Sequence, residues 1–157
     1  MIIGGIQKSS TLDFPGRLSC VIFTRGCNLD CFYCHNRELL EAGGGRLSEE
    51  EVFSFLEKRQ GLLDGVVLSG GEPTLQPDLE EFLRRVRALG YQTKLDTNGQ
   101  RPEIVARLLE EGLLDYVAVD WKANEEDFSE VCRGEDGCRL SKETLVRLAG
   151  SGTPYEA

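Results

Sequence analysis

Leu18-Ser19-Cys20-Val21-Ile22-Phe23-Thr24-Arg25-Gly26-Cys27-Asn28-Leu29-Asp30-Cys31-Phe32-Tyr33-Cys34-His35-Asn36 is the stretch that decides the fold. Leu18 to Thr24 is apolar and β-prone, a short run suited to a buried strand. Gly26 lets the chain turn away from the strand end, and Cys27, Cys31 and Cys34 follow on the loop. Three thiolates so close in sequence can hold three corners of a four-iron cluster. They leave the fourth iron without a protein ligand and able to take a substrate or second cofactor. A loop at the carboxyl end of a strand is also where α/β folds usually place their chemistry.

Downstream, strand-like and helix-like segments alternate. Ser48 and Glu51 form a capping box, with Leu47 and Val52 as a hydrophobic staple, ahead of a helix carrying Val52, Phe55 and Leu56. Gly65 to Ser69 reads as the second strand. The next helix follows Pro77, with Leu79, Phe82, Leu83, Val86 and Leu89 at helical spacing and Gly90 as its stop. Tyr91 to Asp96 reads as the third strand, and a helix runs from Pro102 to Gly112. Asp115 to Trp121 reads as the fourth strand, and Ser141 is expected to cap a fourth helix. Four β-α units of this size predict a parallel sheet. Residues 122–140 are expected to be a long loop or a short irregular helix. Residues 1–17 are expected to be an N-terminal extension, a hairpin or lid, ahead of a partial barrel over 18–157. Thr153 to Ala157 looks like the opening of a fifth strand, so the chain reads as one domain whose last strands are missing, a fragment or truncated form.

Each strand delivers polar residues at the same end. The second exits through Ser69-Gly70-Gly71-Glu72-Pro73, where glycines let backbone approach a ligand and Glu72 adds a carboxylate. Alone, this is an ordinary tight turn; one strand after the cysteines it is a candidate cofactor clamp. The third strand ends in Asp96-Thr97-Asn98-Gly99, where Asn-Gly alone is a turn signal. The fourth supplies Asp120 and Lys122, which share a face by period-2 alternation. Taken singly, such a pair is a structural bridge more often than a site.

Competing readings of the cysteines are weaker. A redox pair at Cys31 and Cys34 leaves Cys27 unexplained. Structural zinc needs four ligands; Cys20 is one candidate for the fourth, and His35, adjacent to Cys34, is badly placed. Cys20 is expected to pack in its strand, and Cys132 and Cys138 to be free surface thiols. His35 and Asn36 are expected to orient the loop or simply turn it.

With 157 residues, 40% of them apolar and 29% charged, the chain is large enough for a single core. Its net charge of −9 argues against nucleic acid as a partner. No apolar run approaches the roughly 18 residues that span a membrane, and the first residues lack the pattern of a secretion signal. The expectation is a cytoplasmic protein with reduced thiols.

The spacing Cys27-x3-Cys31-x2-Cys34 together with Gly70-Gly71-Glu72-Pro73 resembles the radical S-adenosylmethionine enzymes. The resemblance implies a partial (β/α)6 TIM-like barrel, a [4Fe-4S] cluster on the three cysteines, and S-adenosylmethionine bound at the open iron. It implies that Tyr33 contacts the adenine and that Gly70, Gly71 and Glu72 bind the methionine amino group. Tyr33-Cys34-His35-Asn36, Leu95-Asp96-Thr97-Asn98-Gly99 and Asp120-Trp121-Lys122 are similar to the activating enzymes of glycyl radical enzymes. Gly5-Ile6-Gln7-Lys8-Ser9-Ser10 with Asp13-Phe14-Pro15-Gly16 is similar to the activators of anaerobic ribonucleoside-triphosphate reductase. That likeness implies a monovalent cation near Asp96, Thr97 and Asp120, contact of Lys122 with the cofactor, and no catalytic acid or base. It further implies a glycyl radical enzyme as protein substrate and an external one-electron donor such as flavodoxin or ferredoxin. The alternatives are a radical enzyme acting on a small molecule or peptide, and an inactive iron-sulfur binding module.

Overall fold

A computed structural model of the chain describes residues 1–133 and 137–157. Strands β1 (Ile3–Ser10), β2 (Ser19–Thr24), β3 (Gly65–Gly70), β4 (Gln92–Thr97), β5 (Tyr116–Val119) and β6 (Tyr155–Glu156) form one sheet in chain order. β1 runs antiparallel to β2 and every later pairing is parallel. Between the parallel strands lie α1 (Glu49–Arg59), α2 (Leu79–Ala88), α3 (Pro102–Glu110), the short α4 (Phe128–Cys132) and α5 (Arg139–Ser151). This is the α/β partial barrel expected from the alternating pattern, and β6 begins a fifth parallel strand by pairing Tyr155 with Val117. The hairpin expected within residues 1–17 takes β2 as its second strand instead. Of the segment 122–140, α4 is the short helix, and residues 134–136 lie outside the described residues.

Alternation along the strands sorts side chains to two faces. Cys20, Ile22, Val66, Leu68, Leu95 and Val117 point to the helices, where they join Leu56, Phe82, Leu83, Val105, Leu108 and Leu148 in the main core. The opposite, concave face is smaller, with Val21 and Val67 covered by Phe14 from the loop after β1 and flanked by Phe23 and Tyr116. That loop closes one end of the barrel, so polar strand exits at the other end remain the open mouth. Helix α1 starts at the expected capping box: the Ser48 hydroxyl accepts from Glu51 N at 3.2 Å and Glu51 accepts from Ser48 N at 2.8 Å.

Ser141 does not cap α5, which begins two residues earlier. Its buried hydroxyl donates to the Asn98 carbonyl (2.8 Å) and accepts from Gln100 Nε2 (2.7 Å), so it ties the helix to the exit of β4. A polar side chain engaged across elements in this way is unavailable to its own helix end.

The exit of β3 is locked onto the cysteine loop through backbone. Gly71 N donates to Thr24 O (3.0 Å) and Glu72 N to Gly26 O (2.8 Å). Gly70 has φ +119°, and a Cβ on it would overlap the Thr24 backbone; a Cβ on Gly71 would overlap the Gly26 carbonyl. The two glycines therefore let backbone approach backbone, setting the cysteine loop against β3.

Glu72 then reaches sideways to β4. Its side chain is wholly buried. Oε1 accepts from Thr74 N (3.0 Å), Thr74 Oγ1 (2.6 Å) and Thr97 Oγ1 (2.7 Å), and Oε2 accepts from Asn98 N (2.7 Å). Burial pushes the Glu72 carboxyl above its ordinary range, opposed by these donors, each of which favours the ionised form.

Glu72→Gln turns amide hydrogens onto at least one of those donors and is expected to cost about 1–3 kcal/mol in urea unfolding, with an unchanged midpoint counting against the hub. Gly71→Ala is expected to lose about 1–3 kcal/mol through backbone overlap. Gly43→Ala, whose Cβ meets nothing within 4 Å, is the neutral control in the same melts.

Candidate functional site

At the open mouth, a cavity of about 210 Å³ collects residues from all the parallel strand exits up to β5. Cys27, Cys31, Cys34 and Tyr33 form one wall, Ser69, Gly70 and Gly71 a second, and Asp120 and Lys122 a third, with Asn98 between them. Lys122 Nζ stands 2.7 Å from Asp120 Oδ2 and 6.0 Å from the centroid of the Tyr33 ring. Burial pulls the Lys122 pKa down, but the bond and charge of Asp120 win and hold it above its ordinary value. The amine is thus a firm cation at the cavity edge.

The cysteine loop is held from both ends. Gly26 N and Cys27 N donate to the carbonyls of Leu39 and Leu40, and Gln76 Nε2 donates to Arg25 O at 2.7 Å. Further along, Asp30 N and Phe32 N donate to Cys132 O (3.0 Å) and Val131 O (3.1 Å) on α4. Asp30 itself pairs with Arg37 (2.7 Å) and Arg133 (3.0 Å), whose guanidinium groups hold its carboxyl below the usual range.

Cys132 and Cys138, expected to be surface thiols, are buried. Phe128 and Cys132 tuck under Leu29 and Cys31 in a second small core that also touches Cys27 and Cys34. The acidic, Gly-rich sequence around them hides one turn of amphipathic helix, and the apolar face of that turn carries both Phe128 and Cys132. Cys20 lies on the helix-facing side of β2, fully buried, so it cannot complete a four-ligand zinc site with the loop cysteines.

The three loop thiols spread around one wall, and among the described residues no three His, Cys, Asp or Glu side chains converge on a single ion position. That spread, with no fourth thiol on the cavity wall, suits a group several atoms across with one metal left open. Burial pushes the Cys27 thiol up to about 11, so a cationic centre is what would hold it as a thiolate. Leu29 N (3.4 Å) and Asn98 Nδ2 (3.9 Å) already point hydrogens at Cys27 Sγ. Asn98 also donates to Asn28 Oδ1 at 2.8 Å. In sequence it reads only as half of a turn dipeptide; its position right after a strand-end Asp-Thr pair was the available signal.

Three expected site residues stand off the cavity. Glu72 is buried behind the wall, with both oxygens engaged as described above. Thr97 is buried on the helix-facing side of β4, its hydroxyl given to Glu72. Asp96 lies on the concave face, 3.1 Å from Lys94 Nζ. Burial raises its pKa to about 6, against the pull of the Lys94 charge. Of the three residues, Thr97 turns its hydroxyl to Glu72, and Asp96 and Asp120 are each beside a lysine, the Asp120 charge also helping to raise Asp96.

Residues 21–155 match the model of the radical SAM superfamily. A protein of Methanocaldococcus jannaschii named as a glycyl-radical enzyme activating enzyme is 39% identical over 147 residues, 92% of this chain and 60% of that protein. The pyruvate formate-lyase 1-activating enzyme of Escherichia coli is 32% identical over 129 residues, 76% of this chain and 51% of that enzyme. A Pyrococcus abyssi protein named as a GTP 3′,8-cyclase is 36% identical over 100 residues, 63% of this chain and 32% of that protein. The chain thus spans 60% or less of these curated relatives. Among solved structures, anSMEcpe with bound AdoMet superposes with TM-score 0.65 at 22% identity, covering 84% of this chain and 40% of that one, which speaks for the fold alone. On the match over 21–155 and the cysteine spacing that lies inside it, the chain belongs to the radical SAM superfamily.

Proposed function

We propose that this chain carries the cofactor-binding part of an activating enzyme that generates a glycyl radical on a partner protein, anaerobic ribonucleoside-triphosphate reductase being the partner that its opening residues favour. The observation that carries the proposal is one cavity bounded by three cysteines, the Gly70-Gly71 exit and a lysine–aspartate pair. The similarity to a named glycyl-radical enzyme activating enzyme along 92% of the chain supports it. When bound, a [4Fe-4S] cluster and S-adenosylmethionine would supply one-electron cleavage of a sulfonium bond and, from it, hydrogen-atom abstraction.

The chain's own residues bind and orient. Cys27, Cys31 and Cys34 hold the cluster. Gly70 and Gly71 bring the backbone of β3 to the amino-acid end of the cofactor, and Lys122 offers a cation to its carboxylate. Tyr33, on the cavity wall, would contact the adenine. Glu72 acts one layer back, as a positioning residue: it fixes Asn98, which in turn fixes Asn28 and faces Cys27. No side chain is asked to move a proton. An external donor such as flavodoxin or ferredoxin supplies the electron, and a cytoplasmic setting goes with that supply. Among the described residues no helix is long and apolar enough to cross a membrane, and the acidic charge disfavours nucleic acid as the substrate.

A second reading, chemistry on a small molecule, is favoured by the 36% identity to a protein named as a GTP 3′,8-cyclase. Anaerobic reconstitution separates these. The protein is expected to take up about four irons and four sulfides and no zinc, and after reduction to release 5′-deoxyadenosine from S-adenosylmethionine. Cys31→Ala is expected to abolish both. A doublet radical signal on added anaerobic reductase supports activation, whereas consumption of GTP without that signal supports the second reading. A loaded cluster that releases no 5′-deoxyadenosine marks a binding module and overturns both.

A further inference from the structure

Lys94 is a charged side chain that is almost wholly buried. It sits in the middle of β4 on the concave face, and its side chain is 6% exposed. A buried ammonium is tolerated only where its hydrogens find acceptors, and it carries three of them. One hydrogen-bond acceptor and two ion-pair partners are in place. Asp13 O lies at 2.6 Å, Asp96 Oδ1 at 3.1 Å and Glu156 Oε1 at 3.1 Å, supplied by the loop after β1, the end of β4 and β6. The Tyr116 ring stands below, its centroid 5.5 Å from Nζ. The ammonium thus has one hydrogen bond and two carboxylates at ion-pair distance, drawn from three separate segments, so it is held from several sides and is not a loose surface pair.

This cluster lies where the family resemblance placed a free monovalent cation, and the residues do not fit one. Of the three expected ligands, the Thr97 hydroxyl is turned to Glu72 and Asp120 is paired with Lys122. That leaves Asp96, already facing an ammonium. A second cation beside it would meet like-charge repulsion in a site of low dielectric.

We infer that the Lys94 ammonium is the resident cation of this barrel: it neutralises Asp96 covalently tethered, and the protein needs no alkali-metal ion at that place. Lys94 is a positioning residue: neither it nor Asp96 lines the cofactor cavity, and its effect there passes through Asp96 to Ser69 on the cavity wall. The part of the test that uses S-adenosylmethionine rests on the proposed function; the thermal part does not.

The wild-type chain with reconstituted cluster is melted in potassium, sodium and choline chloride at equal ionic strength. Identical melting temperatures are expected. A saturable rise with potassium or sodium over choline overturns the inference. Lys94→Met is expected to melt lower in choline and to recover part of the loss, saturably, when potassium or sodium is added. If Lys94→Met folds but recovers nothing, Lys94 makes a structural ion pair only and the inference fails; if it does not fold, the wild-type melts decide. Calorimetric affinity for S-adenosylmethionine is expected to be unchanged between potassium and choline in the wild type and to fall several-fold in choline for Lys94→Met. A wild-type affinity that collapses without potassium again overturns it. Absence of S-adenosylmethionine binding in every salt would strike the proposed function and leave the thermal result to stand.

Discussion

The site depends on a carboxylate that never faces it. Glu72 takes four hydrogen bonds from Thr74, Thr97 and Asn98 with its side chain wholly buried. Each of those donors belongs to a strand exit, so the carboxylate holds the mouth of the barrel in one shape. Through Asn98 the same network continues to Asn28 and to the sulfur of Cys27. A buried polar network of this kind is stabilising only when every member is satisfied. Here it also specifies geometry, because it joins the exits of β3 and β4 to the cysteine loop.

The architecture was legible because its signals are local. Strand-length apolar runs, a capping box at Ser48 and helix stops at Gly90 and Gly112 each report on a few neighbouring residues, and the elements lie within a residue or two of where those signals put them. Among the site residues, the cysteine spacing and the Gly70-Gly71 pair were readable for the same reason. What sequence could not show is which face a strand-end residue takes once its neighbours compete for it. Thr97 follows Asp96 directly, so the two must point to opposite sides, and only one can join the concave face. Glu72 reads as a ligand because it belongs to the Gly70-Gly71-Glu72-Pro73 motif; its burial goes with the donors Thr74 and Thr97, which are distant or unremarkable in sequence. Lys94 was invisible because its partners, Asp13 and Glu156, come from opposite ends of the chain.

Cys132 and Cys138 show another limit. Composition marked their segment as polar loop or short irregular helix with exposed thiols, yet α4 folds Phe128 and Cys132 beneath the cysteine loop, while its carbonyls at Val131 and Cys132 take the N–H groups of Phe32 and Asp30. The loop is therefore sandwiched, with β3 behind one end and α4 behind the other. Two arginines, Arg37 and Arg133, close on Asp30 between them. Support of this sort leaves the thiols placed by backbone bonds on both flanks before any metal arrives.

The overlap that a methyl group at Gly71 would make with the Gly26 carbonyl has a geometric consequence. The hydrogen bond from Glu72 N to that same carbonyl prevents the gap from widening, and the carbonyl itself prevents it from closing. The spacing between the cysteine loop and the β3 exit is thus a fixed gauge with a stop on either side. A group bound to the cysteines and a group bound to β3 would be held in register by the protein alone, with no side-chain rotamer able to drift and no closing motion needed to bring them together.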